Sequence, residues 1–340
     1  MSSGVLAGRY ELGDLLGRGG MGEVRRAWDT VLRRPVAVKL VRGTGESEAS
    51  RRFGHEVRVL AGLEHPGLVP VFDAGADGPV SFVVMRLIEG RTLRDQLKSG
   101  PLDVERVREL GIVLAEALDH VHARGVVHRD VKPGNVLLDR DGRPHLADFG
   151  LARRVDTPHL TRSNRVMGTA AYLAPEQVRG EEVSAATDVY ALGLVLLECL
   201  TARREYTGGT AEAALARLHR PVRLPPDLPD DLIRLLALMT SLVPRRRPTA
   251  LACAQALRHR EPPAAMATRP AVATPTAVPT PTAVATPTAV ATSPDRPRRW
   301  RPALIGAAVL ALAALVAALH APLIAADDPP PSPTTSTHAR

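Results

Sequence analysis

His128-Arg129-Asp130-Val131-Lys132-Pro133-Gly134-Asn135, followed by Asp148-Phe149-Gly150, decides how this chain is read. The two strings place a carboxylate, an ammonium, an amide and a second carboxylate on neighbouring loops. Transfer of a phosphoryl group needs such a set. One group orients the attacking hydroxyl, a cation meets the moving phosphoryl, and hard oxygen atoms hold Mg²⁺.

Working outward, the other parts of a phosphate-handling site appear in order. Gly17-Arg18-Gly19-Gly20-Met21-Gly22-Glu23-Val24 follows an apolar strand, and its glycines let backbone N–H groups close over phosphate oxygens without Cβ clashes. Alone, such a loop reads better as a plain hairpin turn. Val36-Ala37-Val38-Lys39 comes next, a short apolar run ending in an ammonium. Lys39 needs an acidic partner, and Glu56 in Phe53-Gly54-His55-Glu56-Val57 is the candidate, with Glu48 as a solvated surface residue. Lysine occurs only at 39, 98 and 132 in a chain with 44 basic residues. Two of the three stand in these motifs, where a compact ammonium is wanted that arginine cannot imitate.

The 340 residues suffice for one bilobal domain and further segments. With aromatics at 3%, the core must rest on Leu, Val and Ala. The net charge of +8 does not argue for nucleic acid, because no nucleic-acid module is visible. Part of the excess, Arg296, Arg298, Arg299 and Arg301, stands beside an apolar run and suits a membrane surface. Cys199 and Cys253 lie in apolar, helix-like stretches and read as small core residues of a reducing compartment. No metal-ligand spacing of Cys and His and no N-terminal signal peptide is evident.

Residues 10–41 and 80–90 are strand-like, and 47–63 reads as a helix with Phe53, Val57, Leu60 and Leu63 on one face. From about residue 92 the pattern turns helical, at 103–124, 183–202, 210–219 and 229–242. The expected fold class is α+β: a β-rich lobe over about 9–88 and a helical lobe over about 89–260. Residues 261–299 are rich in Ala, Thr and Pro, with Thr-Ala-Val at 276–278, 282–284 and 288–290, and read as a disordered juxtamembrane tether. Residues 303–326 are almost all apolar, and as a helix would be about 36 Å long, enough to span a bilayer. Arg299 and Arg301 before it and Asp327 and Asp328 after it put the N-terminal body in the cytoplasm. The expectation is a single-pass cell-membrane protein whose tail, 327–340, is too short for a folded sensor.

Residues 10–260 resemble a Hanks-type serine/threonine protein kinase of the bacterial, membrane-anchored kind common in actinobacteria. The strings at 128–135 and 148–150 carry the resemblance. So do the Gly-Gly-Met-Gly-Glu-Val loop, Gly168-Thr169 with Ala174-Pro175-Glu176, and Pro248-Thr249-Ala250. The resemblance implies a kinase using ATP and Mg²⁺, with Mn²⁺ as a substitute ion. Asp130 orients the substrate hydroxyl, Lys132 neutralises the γ-phosphoryl, and Asn135 and Asp148 hold the metal. Lys39 clamps the α- and β-phosphates, fixed by Glu56. Adenine lies between Leu16, Val24 and Ala37 above and Leu137 below. It bonds the backbone at Arg86-Leu87-Ile88, with Met85 as gatekeeper. His128 is structural, packing under Phe149. Thr169 contacts the catalytic loop, Glu176 and Arg247 form a buried ion pair, and Asp188 ties down the loop backbone. Asp139 and Asp141 are turn residues. Arg86 stands where Glu is usual, and Arg203-Arg204-Glu205-Tyr206 replaces a small Gly-x-x-Pro-Phe turn, which puts the docking surface there in doubt.

The Arg129-Asp130 pair implies that the arginine meets a phosphate on the activation loop, with Thr161 and Ser163 as the phosphosites and Thr157 nearby. Partners follow: proteins bearing Ser or Thr, the cytoplasmic membrane, and a second copy for trans-autophosphorylation. Thr274, Thr280 and Thr286 precede prolines in the tether, which reads more simply as a spacer. Two other readings are a pseudokinase-type nucleotide-binding scaffold and a small-molecule kinase. The presence of Lys39, Asp130, Asn135 and Asp148 opposes the first, and the Gly168–Glu176 segment opposes the second.

Overall fold

The computed structural model of the chain describes residues 4–19, 22–42, 62–148, 170–207 and 210–260. Six antiparallel strands come first: β1 (Val5–Leu6), β2 (Tyr10–Gly19), β3 (Gly22–Asp29), β4 (Arg34–Arg42), β5 (Val71–Asp77) and β6 (Val80–Arg86). They form one sheet in the order β1-β2-β3-β4-β6-β5. The two-residue side-chain period of a strand explains what β4 does. Val36, Val38 and Leu40 enter one cluster with Tyr10, Phe82 and Val84. Ala37 and Val41 point the other way, into a second cluster with Val83 and Met85. Lys39 shares that second face by the same alternation. At the start of β3, Gly22 has φ +145°, and a Cβ there would sit 1.8 Å from the Leu40 carbonyl oxygen, so only glycine fits.

The small lobe is clasped by charge as well as by packing. Arg9 donates to both oxygens of Asp29, at 2.8 and 2.7 Å, and Asp29 also accepts from the Val31 and Leu32 amides. Hydrogen bonding from Arg9, against the opposing effect of burial, holds the Asp29 carboxyl down to about 2.

The large lobe is helical: α1 (Leu93–Leu97), α2 (Val104–His122), α3 (Pro175–Arg179), α4 (Ala185–Thr201), α5 (Thr210–His219), α6 (Asp230–Met239) and α7 (Ala250–His259). Side-chain caps set three of the starts. Thr92 accepts from Asp95 N, Asp103 from Arg106 N, and Thr249 from Ala252 N. The Pro-Thr-Ala of 248–250 is therefore a helix N-terminus. One core of Leu, Val and Ala from α2, α4, α6 and α7 holds the lobe together. Helix α4 is buried on all sides from Thr187 to Cys199, which is why its polar residues are fully partnered frame elements. Both cysteines are buried and free, as small core residues should be.

The expected helices at 103–124, 183–202 and 229–242 are found with slightly shorter bounds, and that at 210–219 with the bounds expected. Two features differ from expectation. The helical lobe carries a three-stranded sheet, β7 (Gly90–Thr92), β8 (Val136–Asp139) and β9 (Pro144–Leu146). Short apolar runs such as 136–138 do not distinguish strand from buried helix by periodicity. Strand β5 was also not legible, because Asp73, Gly75 and Ala76 have poor strand propensity. It holds as an edge strand on β6. Asp139 is more than a solvated turn residue: it accepts from the Asp141 and Arg143 amides and lies 3.1 Å from His145. The expected helix at 47–63 lies outside the described residues but for its last two positions. The tether at 261–299, the apolar run at 303–326 and the tail at 327–340 lie wholly outside them. Among the described residues no helix is long and apolar enough to cross a membrane.

Candidate active site

The loop 128–135 is held by hydrogen bonds on nearly every side. Asp188, at the start of the buried helix α4, accepts from the His128 amide and the Arg129 amide, both at 2.7 Å, and lies 2.8 Å from His122 Nε2. His128 is fully buried, which pushes its ring toward the neutral form. Its Nε2 lies 3.0 Å from the Ala147 carbonyl, and Nδ1 accepts from the Asp130 amide at 3.3 Å. Both ring nitrogens are thereby occupied. Its expected neighbour Phe149 lies outside the described residues.

Asp130 receives Lys132 Nζ at 2.6 Å and Asn135 Nδ2 at 3.1 Å on the same oxygen, Oδ2. Asn135 Nδ2 also donates to the Asp130 carbonyl at 2.8 Å. The amide nitrogen is spent on Asp130, which leaves Asn135 Oδ1 as an oxygen ligand. Across the cleft Lys39 Nζ lies 2.8 Å from Asp148 Oδ1, with both side chains partly open to solvent. Asp148 has φ +60°, a left-handed conformation that a non-glycine residue adopts at a cost of roughly 1 kcal/mol or more. Residues 146 and 147 anchor it: Leu146 N bonds the Gly67 carbonyl and Ala147 N the Asn135 carbonyl, each at 2.8 Å.

An amide oxygen and a carboxylate suit Mg²⁺, which keeps water and phosphate oxygens in its remaining positions. The described residues contain no cluster of three or more His, Cys, Asp or Glu that would form an all-protein metal cage. That donor set fits a metal shared with a phosphate.

The wall expected to face a nucleotide is apolar. Val24, Ala37, Met85, Ile88 and Leu137 share one cluster with Val69 and Ala147. The last two were not anticipated, since small or branched residues outside a motif carry no sequence signal. Leu16 is half exposed and outside this cluster. A Cβ on Gly17 or Gly19 would meet nothing within 4 Å, so neighbouring atoms do not impose glycine there. A close-lying ligand is a reason for it. Arg18 and Glu23 pair with each other at 3.2 Å. The Arg86 side chain is exposed, and its amide bonds the Pro70 carbonyl at 2.9 Å, which takes that one donor away from adenine recognition. Gly20, Met21, Glu56, Thr161, Ser163 and Thr169 lie outside the described residues.

Behind the site, Arg247 and Glu176 form a bidentate pair at 2.6 and 2.9 Å with both side chains buried. Arg247 also donates to the Ala186 and Ser241 carbonyls, and Thr187 Oγ1 donates to Glu176. Burial opposes ionisation of Glu176, but the hydrogen bonds and charge of Arg247 together with backbone and Thr187 donors outweigh it, so its pKa lies below the usual carboxylate range. The departure at 203–206 is a built anchor: Tyr206 is buried and donates to the Arg220 carbonyl, while Glu205 accepts from Arg220 and from the Arg223 amide. Two further residues support the loop: His122, which bonds Asp188 behind it, and Gln177, whose Nε2 donates to the Arg129 carbonyl at 3.2 Å. No local pattern marks either, because each acts on a partner far away in sequence.

Residues 10–260 match the family model described as protein kinase domain. A probable serine/threonine-protein kinase of Streptomyces coelicolor is 43% identical over 233 residues, covering 66% of this chain and 34% of that protein. Serine/threonine-protein kinase PknA of Mycobacterium tuberculosis is 38% identical over 281 residues, 78% of this chain and 65% of the relative. The DNA damage-responsive serine/threonine-protein kinase RqkA of Deinococcus radiodurans is 42% identical over 270 residues, 76% of this chain and 40% of the relative. The chain thus spans between about a third and two thirds of these relatives' lengths. With the bilobal fold and the loop geometry, these likenesses show that the chain belongs to the protein kinase family, in its bacterial Hanks-type serine/threonine branch.

Proposed function

We propose that this chain is an ATP-dependent serine/threonine protein kinase that transfers the γ-phosphoryl group to Ser and Thr hydroxyls of proteins. The observation that carries the reading is Asp130 Oδ2 joined to Lys132 Nζ at 2.6 Å and to Asn135 Nδ2 at 3.1 Å, facing the Lys39–Asp148 pair. Asp130 accepts the hydrogen of the substrate hydroxyl and points its oxygen lone pair at the phosphorus. Lys132, beside it, meets the negative charge of the transferring group. Lys39 holds the phosphates from the opposite wall, and Val24, Ala37 and Leu137 sandwich the base. Asn135 Oδ1 and Asp148 would hold Mg²⁺, which would supply charge neutralisation for the phosphate oxygens.

The same reading assigns Thr161 and Ser163 as autophosphorylation sites that meet Arg129, reached in trans by a second copy. It assigns 303–326 as a membrane span with the kinase domain cytoplasmic. The Arg299 and Arg301 flank supports the orientation.

Incubation of the full chain with labelled ATP and Mg²⁺ tests the activity. Label should enter the chain at Thr161 or Ser163 and should fall about 10²–10⁴-fold in Asp130→Asn. Equal label in the two proteins overturns the assignment. Recovery of the full chain in the soluble fraction after cell breakage overturns the membrane span.

A further inference from the structure

Arg129 has φ +68°, a left-handed conformation in which a non-glycine residue is strained. Such a residue persists only where its surroundings over-determine it. A cavity of about 10 Å³, at the lower limit for one water, adjoins the loop and is lined in part by Arg129, Asp130, Tyr172, Leu173 and Gln177. Hydrogen bonds hold the backbone at this point. The Arg129 amide is taken by Asp188. The next peptide unit, from Arg129 C=O to Asp130 N–H, is gripped at both edges. Its N–H donates to His128 Nδ1 at 3.3 Å, and its C=O accepts from Gln177 Nε2 at 3.2 Å. The plane of that peptide fixes the direction in which the Asp130 side chain leaves the backbone.

Gln177 makes a second bond. Its Oε1 accepts from the Ala174 amide at 2.9 Å, closing the N-terminus of α3. One side chain thus joins the 170–174 stretch, which leads into Glu176 and the buried frame, to the peptide that aims Asp130. Glutamine suits this because it donates at one atom and accepts at the other. We infer that Gln177 is a positioning residue for Asp130, coupling the segment ahead of α3 to the catalytic loop through the Arg129 carbonyl. The inference rests on the kinase reading above for its turnover readout.

Gln177→Glu separates this role from plain helix capping. The ionised carboxylate still accepts from Ala174 N but cannot donate to Arg129, and it sets oxygen against oxygen. In the full chain at pH 8, the variant should lose about tenfold in kcat, the effect expected for one lost hydrogen bond felt in the transition state. The KM for ATP should stay within about twofold and the melting temperature within about 2 °C of wild type. As pH is lowered toward 5, the ratio of variant to wild-type kcat should climb, because oxygen facing oxygen raises the introduced carboxyl above its ordinary pKa of about 4.3 and the protonated form regains a donor. Gln177→Met removes both bonds and should give a similar loss with no pH dependence of the ratio. A Glu variant equal to wild type across the range, or a loss independent of pH and matched by lower thermal stability, overturns the inference. Hydrogen exchange at the Asp130 amide reads the same peptide without turnover: it should quicken in Gln177→Met while exchange across α4 is unchanged. An Asp130 amide that exchanges at the wild-type rate also overturns it. Wild-type label no higher than in Asp130→Asn, by contrast, overturns the kinase reading, and the exchange measurement still decides the role of Gln177.

Discussion

Two ion pairs of nearly equal length stand on either side of the catalytic loop and differ in everything else. Lys39–Asp148, at 2.8 Å, lines the cleft with side chains 17% and 29% exposed. Arg247–Glu176, at 2.6 Å, is sealed at 0% and 2%. The buried arginine also donates to two carbonyls and lies over the Tyr190 ring, so its charge has many fixed partners. The cleft pair faces water, which can replace either partner at modest cost. The lesson is that distance does not tell a frame from a working pair. Solvent access and the number of other bonds do, because the penalty for separation is set by what each charge is left with.

The largest break in that contrast comes from Glu176→Gln, which leaves the Arg247 cation buried without its counter-charge. Loss of about 3–5 kcal/mol is expected, seen as a fall of roughly 6–20 °C in melting temperature for a domain of this size. A melting temperature near wild type would place the pair with ordinary surface bridges. Lys39→Met should do the opposite. Phosphoryl transfer should drop about 10²–10³-fold, as for removal of one transition-state charge donor, while the melting temperature moves by no more than a degree or two. A large thermal loss there would erase the distinction between the two pairs.

A smaller effect sharpens the contrast by pH. The Glu176 and Asp29 carboxyls both have folded-state pKa values below their ordinary ones. Each therefore contributes stability that is present above its unfolded pKa and is lost as pH falls through the folded value. For Asp29 the window runs from 3.8 down to about 2. Thermal melts should be flat from neutral pH to about 5 and decline below about 4. The decline should be shallower in Glu176→Gln, measured relative to that variant's own neutral value. An identical acid slope in the two proteins removes Glu176 from the acid-sensitive frame.

Much of the catalytic centre was legible because it is local. Asp130, Lys132 and Asn135 lie within one short loop, so their meeting needs only a turn. Lys39 was legible as the ammonium ending Val36-Ala37-Val38-Lys39, a run that resembles the kinase strand whose lysine holds the phosphates, and the structure puts Ala37 of that run in the apolar cluster with Leu137. The helices of the large lobe followed from their apolar spacing. What the residues alone did not reveal was the sheet β7-β8-β9, the edge strand β5, and the partners that hold the loop from behind.

Sequence by itself thus determined the chemistry and the local geometry: which groups can orient a hydroxyl, neutralise a phosphoryl and ligate a metal, and which faces of β4 and α2 are apolar. Side-chain type and a period of two or 3.6 residues suffice for that. Only the tertiary structure decided how the loop is aimed. His122 reaches Asp188 across 66 positions, and Gln177 reaches Arg129 across 48. Periodicity is blind to such bonds, because they depend on where two distant stretches of backbone cross. Two of those distant stretches, at Asp188 and Gln177, bond the backbone of Arg129, whose φ is +68°.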